Sequence, residues 1–453
     1  MRKLWATTAL TPEGWKDSVS IVIGSNGKIE RVKADQPPDG ELYSVLLPAP
    51  VNLHSHSFQR LMAGLTETRG ENTSDDFWSW RRLMYRFLEI LTPEDIEATA
   101  AFVQMEMLEA GFPAVAEFHY LHHGKGGVAY DNPAEMSARI AAAACQSGIG
   151  LHLLPALYEQ GGCDGRPLMP GQDRFGCNID QFCALLDATE TAVSSLPGDA
   201  GMGVAAHSLR AVSSESLALV EKARPELPFH MHLAEQPAEV EEIECAWGAR
   251  PVQWVLNQCD VDSRWCLIHC TQMNDHETRA LAHTGAIVGL CPITESNLGD
   301  GIFVGPTYLS VGGRFGIGSD SNVRISQAEE YRTLEYSQRL RDGRRAVLAM
   351  GHTSTGRALF ERACVGGGLA TGRNGGKIEA GAWADLMELN GDKTELRGLT
   401  GDTILDTWIF AGSDYLIQNV WSAGRHMVRG GQHVHRIAIE DRFRSVQDRL
   451  RHI

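Results

Sequence analysis

The sequence predicts an α/β protein: a (β/α)8, TIM-like barrel carrying a small β-sandwich domain formed from both termini. Three observations lead there. The middle of the chain, residues 48–375, alternates apolar runs with helical sequence eight times. The two flanks share a different texture of short strands and tight turns. Four short motifs, His54-Ser55-His56, His232-Leu233-Ala234-Glu235, Ile268-His269-Cys270 and Gly318-Ser319-Asp320, each close an apolar run. In a parallel barrel that is the end of the strand where active sites sit.

The elements follow in order. Residues 18–23 alternate apolar and polar side chains, Asn26-Gly27 is a hairpin signal, and residues 29–32 continue the pattern. The texture returns around Lys377-Ile378-Glu379-Ala380-Gly381, Ala384-Asp385-Leu386-Met387 and residues 421–428. Segments 1–47 and 376–433 are therefore assigned to one small domain. Within 48–375 the strand candidates are 51–54, 114–119, 150–155, 203–207, 229–233, 266–269, 286–290 and 315–318. Thr92-Pro93-Glu94-Asp95 reads as a helix start, with an N-cap, a proline in the first turn and early acids. Asn274-x-x-Glu277 and Ser326-x-x-Glu329 have capping-box spacing. Residues 131–147 are an Ala-rich helix ending before Gly148. Residues 434–453 read as a charged terminal helix whose arginines form a solvated face.

Length and composition agree. The chain has 453 residues and an apolar fraction of 43%, enough for one large barrel and a minor domain. With 57 acidic against 41 basic residues the formal charge is −16, which argues against binding nucleic acid or an anionic membrane. No apolar run reaches the length of a membrane span, and no signal-type core follows Met1-Arg2-Lys3-Leu4-Trp5. The 10 cysteines show no C-x-x-C pairing. Cys145, Cys245, Cys266 and Cys291 lie among apolar neighbours and read as buried, reduced thiols, so a cytoplasmic setting is expected.

The motifs carry the chemistry. His54 and His56, two apart on a strand, point to one face and can chelate one ion. His232 ends the fifth strand; His230, two residues earlier, lies one layer deeper as a hydrogen-bonded core residue. Asp320 ends the eighth strand, where a carboxylate is costly unless it binds something. His54, His56, His232 and Asp320 match the N/O donors that a catalytic zinc takes while leaving a position for water. Glu235, just past His232, is placed to shuttle a proton between that water and a leaving nitrogen. His269 ends the sixth strand and would orient the water, with Asp320 accepting its proton. The fourth strand, Gly203-Val204-Ala205-Ala206-His207, has no Lys or Glu to bridge a second ion, so one divalent ion is expected. The cluster His119, His122, His123 is a lesser candidate for a further ion. His433-Val434-His435 repeats the spacing but falls outside the barrel and reads as surface. Arg210, in a barrel-mouth loop, suits a carboxylate, although a surface salt bridge is the plainer alternative for any single arginine.

This pattern resembles the amidohydrolase superfamily in its mononuclear deaminase branch, and the resemblance spans essentially the whole chain. One departure is Pro48-Ala49-Pro50 where that family often has Pro-Gly before the first strand. Within the branch, His54-Ser55-His56-Ser57-Phe58-Gln59-Arg60, Phe77-Trp78-Ser79-Trp80-Arg81, Glu117-Phe118-His119-Tyr120, His207-Ser208-Leu209-Arg210 and the run from Cys291 to Gly301 resemble a subfamily of histidine degradation. That subfamily hydrolyses the formimino group of N-formimino-L-glutamate to N-formyl-L-glutamate and ammonia. The resemblance implies a small anionic substrate contacted by Gln59, Arg82, Tyr120, His207 and Arg210; Arg81 is adjacent to Arg82, and periodicity does not choose between them. A homodimer is compatible with this reading. Two alternatives stand beside it: a deaminase of an aromatic base, and a non-catalytic relative, which normally lacks ligands or acid–base groups that are all present here.

Overall fold

The computed structural model describes residues 1–67 and 77–450, and the side chains of these except at positions 77–80 and 82. Eight parallel strands form the barrel: β5 (Asn52–Ser55), β6 (Ala114–His119), β7 (Gly150–Leu157), β9 (Val204–Ser208), β10 (Phe229–Leu233), β11 (Trp265–His269), β12 (Ile287–Leu290) and β13 (Arg314–Ile317), neighbours in that order. A two-residue strand, β8 (Gly201–Met202), pairs only with β7. Helices lie between the barrel strands, and each of the eight expected strands is present within a residue or two.

The ring closes between its first and last strands. Ser55 and Asp320 form a parallel bridge; the His56 amide donates to Asp320 O and the Asp320 amide to His54 O, both at 2.9 Å. Closure at this distance needs glycine. A Cβ on Gly318 would stand 2.7 Å from His54 O, and one on Gly316 would stand 2.2 Å from the Leu53 side chain. Side chains lace the seam as well: Asn52 Nδ2 donates to Ser319 Oγ at 2.7 Å, Ser319 Oγ to Asn322 Oδ1 at 2.6 Å, and Asn322 Nδ2 to Ser55 Oγ at 3.1 Å. Below the seam, Leu53, Cys266, Ile268, Ile287 and Cys291 fill the interior with Ala370.

The small domain is an eight-stranded sheet drawn from both ends of the chain. Its members are β1 (Arg2–Thr11), β2 (Gly14–Ile23), β3 (Ile29–Lys33), β4 (Glu41–Pro48), β14 (Leu386–Leu389), β15 (Ile417–Ser422), β16 (Arg425–Arg429) and β17 (Gln432–His433), ordered β17-β16-β15-β14-β4-β1-β2-β3. Leu4, Val19, Ile21, Leu46, Leu386 and Trp421 are part of its own core. Where the domain meets the barrel, the buried Arg373 guanidinium reaches two carboxylates. It contacts Asp385 at 2.7 and 2.9 Å and Asp199 at 3.0 Å, and Arg425 closes on Asp199 at 2.7 Å.

The expected caps form where the backbone geometry allows. Thr92 and Asp95 make a complete capping box before helix Pro93–Glu109, and Asn274 with Glu277 makes another. Ser326 caps helix Gln327–Asp342 through its hydroxyl, but Glu329 pairs with Arg324 rather than returning to the Ser326 amide. The Ala-rich helix runs over Glu135–Ser147 and ends on Gly148 in the left-handed region. In the terminal helix Arg436–Leu450, Ile439, Phe443, Val446 and Leu450 are buried and Phe443 stacks on Phe102 at 4.0 Å, while Arg436, Arg442 and Arg449 do not form a purely solvated face but pair with Glu109, Glu97 and Asp95 of helix Pro93–Glu109.

Two expectations change. Cys145 and Cys245 are exposed, because each lies on the outward face of its helix; Cys266 and Cys291 are buried. His433 is not at the surface: it is buried, with its Nε2 donating to Ser147 O at 2.7 Å and its amide to Glu109 at 2.8 Å. Among the described residues no helix is long and apolar enough to cross a membrane.

Arg373→Met should lower the melting temperature markedly, since it leaves the Asp385 and Asp199 carboxylates buried without this partner. Breaking a buried pair costs about 3–5 kcal/mol. An unchanged thermal transition would show that the guanidinium is not what holds the two carboxylates.

Candidate active site

The barrel mouth collects side chains from four strand ends. β5 presents His54 and His56 on one face, β10 presents His232, β11 presents His269, and Asp320 follows β13. All are buried. The three Nε2 atoms of His54, His56 and His232 lie 3.1–3.2 Å from one another. Asp320 Oδ1 is 3.6 Å from His54 Nε2 and 3.3 Å from His56 Nε2.

Their protonation follows from the outer ring atoms. His56 Nδ1 is bonded to Phe118 O at 2.8 Å and His232 Nδ1 to His207 O at 2.9 Å. A carbonyl only accepts, so each Nδ1 carries the proton and each Nε2 a lone pair. Burial pushes His56 down to about 3, against the Phe118 bond, and pushes His54 and His232 well below the usual imidazole range. Three neutral imidazoles thus aim their inner nitrogens at one point beside a carboxylate. The inner lone pairs of His56 and His232 repel in that arrangement, and a cation removes the repulsion; the buried His54 Nδ1 has no partner of its own. Tetrahedral zinc with Zn–N near 2.1 Å would separate its nitrogens by about 3.4 Å, close to what is seen. These four residues fit a divalent metal, and they form a grouping of ligand atoms within 4.8 Å of one another.

A second layer of carboxylates sets the orientation of the first. His269 Nδ1 faces Glu295 Oε1 at 3.2 Å, which directs its Nε2 towards Glu235 (3.7 Å) and Asp320 (3.8 Å). Against the opposing effect of burial, Glu235, Glu295 and Asp320 raise His269 to about 10. Burial pushes Asp320 up to about 7, with His269 opposing. Glu239 accepts from the amides of Ala234 (3.1 Å) and Glu235 (2.9 Å), fixing the turn that carries Glu235. Glu117 accepts from the Ser57 amide at 2.6 Å and fixes the turn that carries Gln59.

That turn geometry is strained. Ala234, His269, Cys270, Asp320 and Asn322 all have positive φ, between 46° and 73°. Each such non-glycine residue costs about 1–3 kcal/mol, and clusters of them mark sites where side-chain placement outweighs backbone ease.

The residues singled out in the sequence converge on one pocket. His56, Gln59, Tyr120, His207, Arg210, His232, Glu235, His269 and Asp320 all line it. Gln59 Nε2 donates to the Tyr120 hydroxyl at 3.0 Å, and Arg210 Nη2 meets Glu235 Oε2 at 3.4 Å. The Arg82 side chain lies outside the described residues; Arg81 lines the pocket and donates to the Tyr158 hydroxyl at 2.6 Å. Sequence reasoning missed Tyr158, Phe175, Glu239 and Glu295. Phe175 and Tyr158 belong to the long connection after β7, where no motif spacing marks them. Glu295 falls in the run from Cys291 to Gly301, where no spacing singles it out.

His230 sits below the site, its Nε2 bonded to Ala370 O at 2.7 Å. His122 and His123 tie their loop down through Ala156 O (2.9 Å) and Gly176 O (2.7 Å), and His119, His122 and His123 form no metal-type grouping among the described residues.

A parallel barrel with this cluster defines a class, and the comparisons agree: the model of the amidohydrolase family matches residues 45–427, and the chain belongs to that family. A second model, that of the formimidoylglutamate deiminase HutF N-terminal domain, matches residues 1–41. The chain is 45% identical over 437 residues to formimidoylglutamate deiminase of Pseudomonas aeruginosa, covering 96% of each. Among solved structures it superposes on an amidohydrolase from Brucella melitensis with a TM-score of 0.95 and 45% identity, over 99% of this chain and 100% of that one. A zinc-bound adenosine deaminase from Xanthomonas campestris shares the fold, with a TM-score of 0.82 at 20% identity, over 100% and 98%.

If the imidazole cluster is a cation site, stripping divalent metal with a chelator should lower the melting temperature, and adding metal back should restore it, because a ligand that binds only the folded state stabilises it. Identical melting curves with and without chelator would contradict this reading.

Proposed function

We infer that this enzyme hydrolyses the formimino group of N-formimino-L-glutamate, giving N-formyl-L-glutamate and ammonia in histidine degradation. The observation that carries this is a hydrolytic centre sharing one pocket with two arginines, Arg81 and Arg210, in a chain 45% identical to a formimidoylglutamate deiminase over nearly its whole length. An amidine on a dicarboxylate is the substrate such a pocket suits: guanidinium groups bind carboxylates in bidentate fashion. An aromatic base suits it less. Where Tyr120 and Tyr158 contact Phe175 and His207 the rings meet edge-on or tilted, at interplanar angles of 51–89°, and none of these four contacts is a stack.

The residues divide the work. His54, His56, His232 and Asp320 would hold one divalent ion, zinc by its N3O donor set; β9 offers neither Lys nor Glu to bridge a second. When bound, such an ion polarises its ligands and makes water a nucleophile at neutral pH. His269, protonated between its carboxylate neighbours and with its Nε2 3.8 Å from Asp320 Oδ2, would orient an attacking water, and the Asp320 carboxylate would take its proton. Glu235, 3.7 Å from His269 Nε2, moves a proton onto the departing nitrogen. Arg210, helped by Tyr120 and His207, holds the α-carboxylate; Gln59 lies near the rest of the substrate. A cytoplasmic enzyme, working alone or as a homodimer on a small anionic substrate, is the setting this supports.

Two measurements test the reading. The metal-loaded enzyme should release ammonia from N-formimino-L-glutamate and not from adenosine, guanine or cytosine; the opposite preference would sink it. Glu235→Gln should retain one equivalent of metal and lose about 10²–10⁴-fold in turnover, since an amide carries no proton. A variant within a few-fold of the parent rate would assign the proton transfer to another residue.

A further inference from the structure

We propose that Tyr158 is a specificity-determining residue: held by Gln172 and Arg81, its hydroxyl proton recognises the side-chain carboxylate of the substrate. The proposal rests on the function inferred above, and it concerns a residue that none of the motifs marks.

The argument is one of hydrogen-bond direction. The Met169 amide, which only donates, gives its proton to Gln172 Oε1 at 2.9 Å. That fixes the orientation of the buried Gln172 amide, so its Nε2 is the atom that faces Tyr158 and donates to the hydroxyl at 2.7 Å. Arg81 has donors only, and its Nη2 approaches the same oxygen at 2.6 Å. Both acceptor positions of the phenol oxygen are therefore taken by donors. Its single proton has to leave in another direction, and among the described residues nothing accepts it.

Tyr120 shows the contrast. Its hydroxyl also accepts one donor, Gln59 Nε2 at 3.0 Å, but its own proton has an acceptor in the protein, Met84 Sδ at 3.9 Å, a weak one that the α-carboxylate would replace. Tyr158 is the phenol left with an outgoing proton. Its ring is held by His207 at 4.6 Å and Phe175 at 5.3 Å, and its residue is 2% exposed, so the hydroxyl cannot swing to bulk water.

A guanidinium beside a phenol that is obliged to donate is an all-donor patch, and its complement is an anion. Position then selects which anion. Arg210 lies 3.4 Å from Glu235, the group that serves the reacting nitrogen, so it takes the carboxylate nearest that nitrogen, the α-carboxylate. The Arg81–Tyr158 pair is left for the carboxylate at the far end of the side chain. Gln172 is a positioning residue: it touches no substrate and acts by occupying the second acceptor site on Tyr158.

The test is direct binding, by calorimetry, to the zinc-loaded full chain. The two ligands are N-formyl-L-glutamate and N-formyl-L-norvaline, which match in chain length and differ in the terminal carboxylate. Tyr158→Phe should weaken N-formyl-L-glutamate about tenfold or more, the usual worth of a hydrogen bond to a charged group, and leave N-formyl-L-norvaline unchanged. Gln172→Met should shift selectivity the same way by less, and it provides the readout if the first variant does not fold. Equal weakening of both ligands would make Tyr158 a packing residue and overturn the proposal. So would an unchanged Kd for N-formyl-L-glutamate, or a parent enzyme that does not distinguish the two ligands. Failure of the parent enzyme to deiminate N-formimino-L-glutamate, with the binding pattern intact, would instead count against the function and not against the carboxylate subsite.

Discussion

Everything at the mouth of this barrel depends on how its first and last strands are joined. The ring closes through Ser55 and Asp320, and the amides on either side of that bridge are the ones next to the metal-ligand candidates themselves. The polar side chains that lace the seam, Asn52 with Ser319 and Ser55 with Asn322, come from positions 267 residues apart. A register slip of one residue here would turn His54 and His56 to the opposite face and carry Asp320 away from them. Gly318 allows the backbones to approach this closely. Closing the barrel and assembling the site are one event.

Around that seam, geometry is enforced at a cost. Positive φ at His269 and Asp320 places functional side chains where glycine would sit more easily, and the strain recurs at Ala234, Cys270 and Asn322. What resists relaxation is a ring of buried carboxylates. Glu239 binds the amides of residues 234 and 235, Glu295 binds His269 and the Cys291 amide, and Glu117 binds the Ser57 amide. Buried carboxylates are expensive when unpaired and rigid when fully bonded. The acidic environment also supplies a negative potential that a divalent cation would offset, consistent with the convergence of three neutral imidazoles.

The anion-binding role proposed for the pocket works against the chain's overall charge. At −16 the molecule as a whole repels a dicarboxylate. The proposed local arrangement would reverse this, because Arg81 and Arg210 line the same pocket as His232, Glu235, His269 and Asp320. At short range, local charge outweighs net charge.

Much of this was legible in the order of residues. Strand ends announced themselves because apolar runs stop at polar motifs, and an eightfold alternation of strand and helix admits few architectures. The metal-type residues could be named since His and Asp at the ends of parallel strands have little other reason to be there. Periodicity could not choose between Arg81 and Arg82, because adjacent residues on a helix differ only in direction, and direction depends on what the helix packs against. It could not find Tyr158, Gln172 or Glu239, whose roles consist of contacts across long sequence separations or of turns with no regular spacing. Cys145 and Cys245 read as buried from apolar neighbours in the chain, yet a helix has an outer face that only docking defines. His433 read as exposed, until the edge of the small sheet was laid against the barrel helices. The sequence by itself determined which chemistry the chain carries and on which strand ends. Tertiary structure alone decided which way each donor and acceptor points, because hydrogen-bond direction is a property of neighbours in space.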